Sequence, residues 1–401
     1  MDPEDYSELI ADLAPARRTE VVAAHEAIGR TVSADIVAVR PVPEFPTSAM
    51  DGFALDEAAV AAAGRGEEIT VVGDTPAGHE SAPLSPGCAV RVMTGAPVPT
   101  AAEAVVPVEL TDAEPTGPAP STIRLASVPE TARDGWNIRA VGEDIAGGEV
   151  VVAAGARLTS AGVGTLIMLG IEEVEVIAAA RVGVIVTGDE LRAHAAEATG
   201  PTIFNSNLPM LVSALSATGV EVSEAICGDE PDQLLGLLNG MEDEVDLVLT
   251  TGGISAGAFE VVRQALESEH STFARVGMRP GSPQGHGRFG TVPMLHFPGT
   301  PQGAFLAFHL FARSLLVGRP LRSRWKKGIC AGPGPARHEK AVTFRPGGFT
   351  DTGEIAAAAR SRLRDFAAAD VIIRIPQGTG ETPAGSVIEY LDCTSGRSRP
   401  N

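Results

Sequence analysis

"RVGVIVTGDEL" (residues 181–191) opens with an apolar, β-branched run and ends in an acidic turn. Val182, Val184, Ile185 and Val186 leave no polar face, the pattern of a strand covered on both sides. The segments after it repeat at the spacing of strand and helix. "NSNLPMLVSALSATG" (205–219) is an amphipathic helix with a glycine stop, "EVSEAICGD" (221–229) a strand, and "EPDQLLGLLNGM" (230–241) a helix. "VDLVLTTGG" (245–253) is again a strand and "AFEVVRQALES" (258–268) a helix. This alternation predicts a parallel sheet with helices on both faces.

Upstream the pattern differs. Residues 5–30 read as helical in two pieces, "DYSELIADL" and "RTEVVAAHEAIGR". From 47 to 144 short β-type runs such as "EITVVGD", "AVRVMTG", "EAVVPVE" and "TIRLA" alternate with Gly and Pro, the composition of a separate β-rich domain. Thr159 or Ser160 is positioned to cap a helix that carries Leu166, Ile167 and Leu169. Beyond residue 320, strand-like and Gly/Pro-rich stretches predict a small β-domain.

The totals bound the function. At 401 residues the chain is long enough for two to four domains. A net charge of −20 argues against a general nucleic-acid or anionic-membrane binder, though not against a small anion held by a few donors. No run of about 18 apolar residues predicts a membrane span, and the acidic "MDPEDYSELIADL" does not read as a signal peptide. Cys88, Cys227, Cys330 and Cys393 are scattered, consistent with free thiols in a reducing cytoplasm. Without paired Cys or His motifs, a bound metal would take carboxylates, which points to Mg²⁺. The only lysines are Lys326, Lys327 and Lys340, so a P-loop is excluded and cationic chemistry upstream falls to arginine, histidine or backbone N–H groups.

Ligands of a parallel α/β sheet bind beyond the carboxyl ends of its strands. Two such ends are marked here: Thr187-Gly188-Asp189-Glu190, and Thr250-Thr251-Gly252-Gly253 with Ser255 and Gly257. Glycines there admit a ligand close to the backbone, and a following helix start offers N–H groups to a phosphate; a tight βα turn without a ligand is the plainer reading. Asp189 and Glu190 either hold Mg²⁺, accept a proton, or cap the next helix. Asp229, with Glu230, poses the same choice at a third strand end. Pro298, Gly299 and Pro301 stiffen a fourth loop before a helix, and "VGMRPGSPQGHG" adds Arg279 and Ser282 beside prolines.

Asp51, in "EFPTSAMDGFAL" (44–55), sits in an Asp-Gly turn behind Pro41, Pro43 and Pro46. In order along the chain, "PTSAMDGFAL", "LSPGCAVRVMTGAPVP", "EAVVPVE", "IRAVGEDI", "VGVIVTGDEL", "NSN", "LTTGGISAG", "MRPGSP" and "FPGTP" resemble the molybdopterin molybdenumtransferase family, of the MoeA and gephyrin E-domain type. The resemblance implies a multidomain α/β plus β fold in four parts: a linking region from 1–46 and 145–178, a β-rich domain at 47–144, a molybdopterin-binding α/β domain at 179–319, and a β-barrel-like domain at 320–401. It implies a homodimer that inserts molybdate into adenylated molybdopterin with release of AMP, in a cleft shared between subunits. The molybdopterin adenylyltransferase is an implied partner. Asp51, Thr94, Asp144 and Glu190 match family catalytic positions, and Asp51, Glu190, Asp229 and Glu260 would be metal ligands. Gly188, Asp189, Gly252, Gly253, Ser255, Arg279, Ser282, Pro298 and Pro301 would line the substrate. A structural turn is the alternative role for Asp51.

The departures are specific. The family's K-P-G-K-P reads Arg279-Pro280-Gly281-Ser282-Pro283, so the first cation is kept with altered geometry and the second is lost. Its P-G-N-P reads Pro298-Gly299-Thr300-Pro301, Glu260 and Glu103 stand where family members carry Asp, and Ala258 replaces an acid. These changes leave a second reading, a weakened paralog that binds molybdopterin or serves as a dimeric interaction protein. A generic nucleotide-binding α/β enzyme is a third. Tungstate is near-isosteric with molybdate, and no residue separates them.

Overall fold

The computed structural model describes residues 1–127, 132–193, 200–255, 257 and 260–393. Contacts divide the chain into two compact units, Thr19–Ile177 and Met1–Arg18 with Ala178–Asn401.

The larger unit is built on a six-stranded sheet in the order Glu221–Cys227, Arg181–Thr187, Leu247–Thr251, Val292–Phe297, Pro283–Phe289, Ser271–Arg275. The first four strands run parallel, as the alternation predicts. The last two do not: 283–289 lies antiparallel to 292–297, and 271–275 antiparallel to 283–289. No helix separates 283–289 from 292–297, only a turn at Gly290, so the chain reverses instead of crossing over.

Strand alternation sorts the core onto two faces. Val182, Val184, Val186, Leu247, Leu249, Leu295 and Phe297 pack on one side with the helices Asn207–Ser216 and Pro301–Ala307. Ile185, Val248, Val292 and Met294 pack on the other with Pro231–Met241 and Val261–Leu266. The expected start of the last helix at 258 lies outside the described residues. The helix at 301 continues through a π-helical stretch, Phe308–Ala312, into Arg313–Val317.

Residues 1–18 belong to this unit. Tyr6, on the helix Pro3–Leu9, is buried edge-on against Phe311 at 4.9 Å and His286 at 5.5 Å. The C-terminal part forms a second sheet, Met278–Arg279, Val342–Phe349, Val371–Ile375, Val387–Asp392 and Lys326–Ile329, with Ile355–Ala357 alongside. Lys326 and Lys327 lie on its last strand and Lys340 just ahead of 342–349.

The smaller unit holds a five-stranded sheet in the order Ala104–Pro107, Gly52–Leu55, Ala89–Val92, Ile69–Thr75, Thr122–Ile123, around Phe53, Leu55, Ile69 and Val106. Thr159 caps Ser160–Met168 by accepting from Gly162 N. One expectation is overturned. Residues 18–30 are not helical: Thr19–Ala23 is a strand paired antiparallel with Glu173–Ile177, followed by a short 3-10 turn, Ala24–Glu26. Thr19, Val21 and Val22 are β-branched, and a strand partner far downstream, from Thr19↔Ile177 to Ala23↔Glu173, decides against the local helical spacing.

Candidate functional site

The carboxyl edge of the parallel strands gathers most of the expected residues of the larger unit. At the end of 181–187, Gly188 takes φ +143°, and a Cβ there would stand 2.5 Å from Glu190 Oε2. Asp189 and Asp229, at neighbouring strand ends, exchange hydrogen bonds: Asp189 N donates to Asp229 Oδ2 at 3.3 Å and Asp229 N to Asp189 Oδ1 at 3.2 Å. Among the described residues, none of the three acids caps a helix. The chain after Glu190 enters a short strand, Leu191–Arg192, and the helix at 207 is served by Asn205 Oδ1 accepting from Leu208 N. At the helix that follows Asp229, Gln233 instead takes the Gly228 N–H at 2.9 Å.

The neighbouring strand, 247–251, ends in the glycine pair. Gly252 (φ +97°) has no room for a side chain: a Cβ would meet Thr187 O at 2.7 Å and Thr187 Oγ1 at 2.8 Å. Gly253 (φ +63°) is pressed against Val261, Val262 and the same hydroxyl. Both positions therefore need glycine twice over, for the dihedral and for the close approach. Glu260 folds back on this turn, its Oε2 accepting from Ser255 N at 2.7 Å and its Oε1 lying over Gly257. A cavity of about 390 Å³ opens beside it, lined by Gly257, Glu260, Arg263, Gln264 and Glu267. Ala258 lies outside the described residues.

Asn207, quoted in the sequence only as part of a motif, ties the edge together. Its Nδ2 donates to Thr251 Oγ1 at 3.0 Å and to Gly299 O at 2.8 Å, while Thr251 Oγ1 donates to Pro298 O at 3.0 Å. One buried amide thus fixes the Pro298–Pro301 loop to the end of the adjoining strand. Its Oδ1 is buried with no hydrogen-bond partner among the described residues, and so is Thr187 Oγ1. An unpaired buried oxygen costs about 1–3 kcal/mol, and here two occur at the edge where α/β sheets bind ligands.

The Arg279–Ser282 turn sits where the two sheets of this unit meet. Met278–Arg279 pairs with Val342–Thr343, and Gly281 approaches Gly303 at the start of the 301 helix. Arg279 is exposed and its side chain has no ionic or hydrogen-bonded partner among the described residues. Ser282 is not available in the same way: its hydroxyl donates to Val276 O at 2.9 Å and closes its own loop.

In the smaller unit, Asp51 and Thr94 are one element. Thr94 N and Oγ1 donate to Asp51 Oδ1 at 2.6 and 2.7 Å, and these bonds, the backbone one first, hold the exposed carboxyl below the usual carboxylate range. The turn is rigid. Ser48 Oγ bonds Met50 O at 2.5 Å, Gly95 N bonds Ser48 O at 2.8 Å, and Val108 N bonds Asp51 O at 3.0 Å. Gly52 is walled in, since a Cβ would overlap the Val106 carbonyl. Asp144 pairs with Arg139, whose Nε also reaches Glu143 at 3.4 Å. Glu103 Oε1 accepts from Asp134 N at 2.7 Å.

The expected metal ligands fall in both units, Asp51 in one and Glu190, Asp229 and Glu260 in the other. Among the described residues, no group of three or more His, Cys, Asp or Glu side chains is placed to hold a metal ion. A Ser–His–Thr array does occur: His296 bonds Thr250 Oγ1 at 2.9 Å and Ser271 Oγ at 2.8 Å. All three are buried, and burial first, then His286, lowers the imidazole to about 3. It is a neutral cross-strand tie with no access for a substrate.

A parallel α/β sheet with strained glycine turns and unpaired oxygens at its carboxyl edge is the framework of a small-molecule-binding protein. Residues 1–170 match the MoeA N-terminal region (domain I and II), and residues 183–317 match a family described as a probable molybdopterin binding domain. The chain is 34% identical to molybdopterin molybdenumtransferase 2 of Mycobacterium tuberculosis, over 98% of this chain and 99% of that one. It is 30% identical to the molybdopterin molybdenumtransferase of Bacillus subtilis strain 168, over 93% and 89%. The fold matches the solved structure of a molybdopterin biosynthesis MoeA protein from Pyrococcus horikoshii with a TM-score of 0.83 at 22% identity, covering 98% of this chain and 99% of the other. The chain belongs to the molybdopterin molybdenumtransferase family.

Proposed function

We propose that the chain is a molybdopterin molybdenumtransferase that accepts adenylated molybdopterin, inserts molybdate into its dithiolene and releases AMP. The observation that carries this reading is the pair of buried, unpartnered oxygens, Thr187 Oγ1 and Asn207 Oδ1, at a carboxyl edge shaped by Gly188, Gly252 and Gly253. A pterin ring, with donors and acceptors along one edge, would satisfy these atoms once the edge opens to it, since both are closed to solvent in this structure. Asp189 and Glu190 lie beside that edge, while Ser255, Pro298 and Pro301 shape its loops. Arg279, whose side chain has no partner among the described residues, supplies the charge that an oxyanion needs. Asp51, kept ionised by Thr94, positions a proton or a polar reactant rather than donating, and Asp144 supports the Arg139 turn beside it in sequence.

The paired Asp189 and Asp229 fit Mg²⁺ in donor chemistry, since each keeps a second carboxylate oxygen beyond the one bonded to its neighbour's N–H. Mg²⁺ takes one or two carboxylates together with substrate phosphates, whose charge it would neutralise. Glu190 and Glu260 are further candidates. The proposal includes a homodimer in the cytoplasm, an encounter with the adenylyltransferase that supplies the substrate, and the four-part grouping 1–46 with 145–178, 47–144, 179–319 and 320–401. Residues 1–18 are the exception to that grouping, since they pack with the larger unit.

One observation favours a second reading. The Ser282 hydroxyl is engaged with Val276 O, so nothing replaces the missing cation beside Arg279. A protein that binds molybdopterin without efficient insertion would look the same. The purified protein is incubated with adenylated molybdopterin and Mg²⁺, with and without molybdate, and AMP and active cofactor are measured. Products that depend on molybdate support insertion. Tight pterin binding without AMP overturns it in favour of the binding paralog.

A further inference from the structure

Away from the carboxyl edge, a cavity of about 360 Å³ lies between the helix Asn207–Ser216 and the helix that carries the π-helical stretch. Its volume falls within the range of small-molecule sites. Met210, Ala214, Phe305 and Phe308 give it apolar walls, and His309 and Arg313 add polar groups. His309 is only 5% exposed, and its Nδ1 is buried without a hydrogen-bond partner among the described residues. Phe305 and Phe308 flank its ring at 4.4 and 5.2 Å between centroids.

The charge around this cavity is unbalanced. The Arg313 side chain has no ionic or hydrogen-bonded partner among the described residues. Arg324 bonds only neutral groups, His309 O at 2.8 Å and Ser314 Oγ at 2.7 Å, and Arg319 bonds Ser323 O. The carboxylates near the bordering Cys393 are engaged elsewhere, Asp392 with Lys326 at 2.5 Å and Asp370 with Phe349 N at 3.2 Å. Among the described residues these three neighbouring arginines form no ion pair, while the Asp370 and Asp392 carboxylates lie towards Cys393 on the rim. The end of a helix favours cations on its own account, but that preference leaves neither the cavity nor the bare His309 nitrogen explained. A π-helical insertion often marks a functional position.

We infer that this cavity is a second ligand site, which takes a small aromatic carboxylate with its ring between Phe305, Phe308 and Met210 and its carboxylate on Arg313. Burial first, then Arg313 and Arg324, lowers His309 to about 3, so its neutral ring supplies one further hydrogen bond. No covalent step is involved, and the site is independent of the transferase reading.

The test uses the full chain and 4-fluorophenylacetate, followed by ¹⁹F NMR and calorimetry. Saturable binding is expected, displaced by phenylacetate and at least tenfold weaker for uncharged phenylacetamide. Arg313→Gln should weaken it at least tenfold with an unchanged circular dichroism spectrum. Ala214→Phe, which fills the cavity, should abolish it. Absence of saturable binding overturns the proposal, as does binding unchanged in both variants or equal binding of the amide.

Discussion

Gly252→Ala isolates what the glycine turn contributes, because two other glycines of the same unit separate its components. Gly236 lies in the interior of an exposed helix with nothing within 4 Å of an added methyl group, so Gly236→Ala should stabilise by about 1 kcal/mol. Gly219 has φ +82° and equally open surroundings; Gly219→Ala should cost about 1–2 kcal/mol, the penalty of left-handed backbone for an L residue. Gly252 combines φ +97° with contacts of 2.7 and 2.8 Å to Thr187. Adding about 1–3 kcal/mol for overpacking to the backbone penalty gives about 2–5 kcal/mol in all. Urea unfolding should be followed through Trp325, which stacks on Phe344 and donates to Glu4 in the same unit, in a background where Trp136 is replaced by Phe. Midpoints compared at constant slope give the differences. A Gly252→Ala loss no greater than that of Gly219→Ala would refute the close-approach argument. A loss of that size without any loss of pterin binding would separate the turn's stability from its role at the edge.

Four further outcomes are expected. Asn207→Leu should weaken molybdopterin binding by tenfold or more, measured by calorimetry on protein shown to be folded; unchanged affinity removes the amide from the site. Thr94→Val removes a hydrogen bond that favours the charged form of Asp51, so the acid limb of the rate profile should move to higher pH, and Thr94→Ser should move it back. Ser282→Lys should lower the molybdate concentration needed for half-maximal AMP release; no change would show that the second cation is not limiting. His296 is held at about 3 by burial, below its unfolded value of about 6.5, so its contribution is complete above that value and is lost as pH falls. At pH 5 the loss is about 2 kcal/mol, and a titration near 6 of the NMR resonance assigned to His296 in the folded state would contradict it.

Much of this was legible in the sequence because strand and turn are local properties. The run 182–186 has no polar side, and the folded strand is buried on both faces. The glycines at 188, 252 and 253 announced backbone that other residues avoid, and all three have positive φ. What escaped depended on distant pairing. Val21 and Val22 fit a helix until Glu173–Ile177 supplies a partner. The antiparallel strands 271–275 and 283–289 come after a parallel signature with no periodicity that warns of reversal. Within the site, residue type identified the acids at 189, 229 and 260, but not that backbone N–H groups engage them. Asn207 carried no chemical label of its own; only the fold shows one amide reaching both Thr251 and Gly299.

The placement of the three lysines has a practical consequence. Lys326, Lys327 and Lys340 all belong to the C-terminal sheet and its approach, and Lys326 is paired with Asp392. Apart from the α-amine, every primary amine in the chain is therefore confined to that region. Amine-directed coupling to a dye, a bead or a sensor chip would attach the protein through the C-terminal sheet or through the α-amine. The glycine turns and the Asp51 loop would be left chemically untouched, so surface-based measurements of ligand binding need no engineered tag.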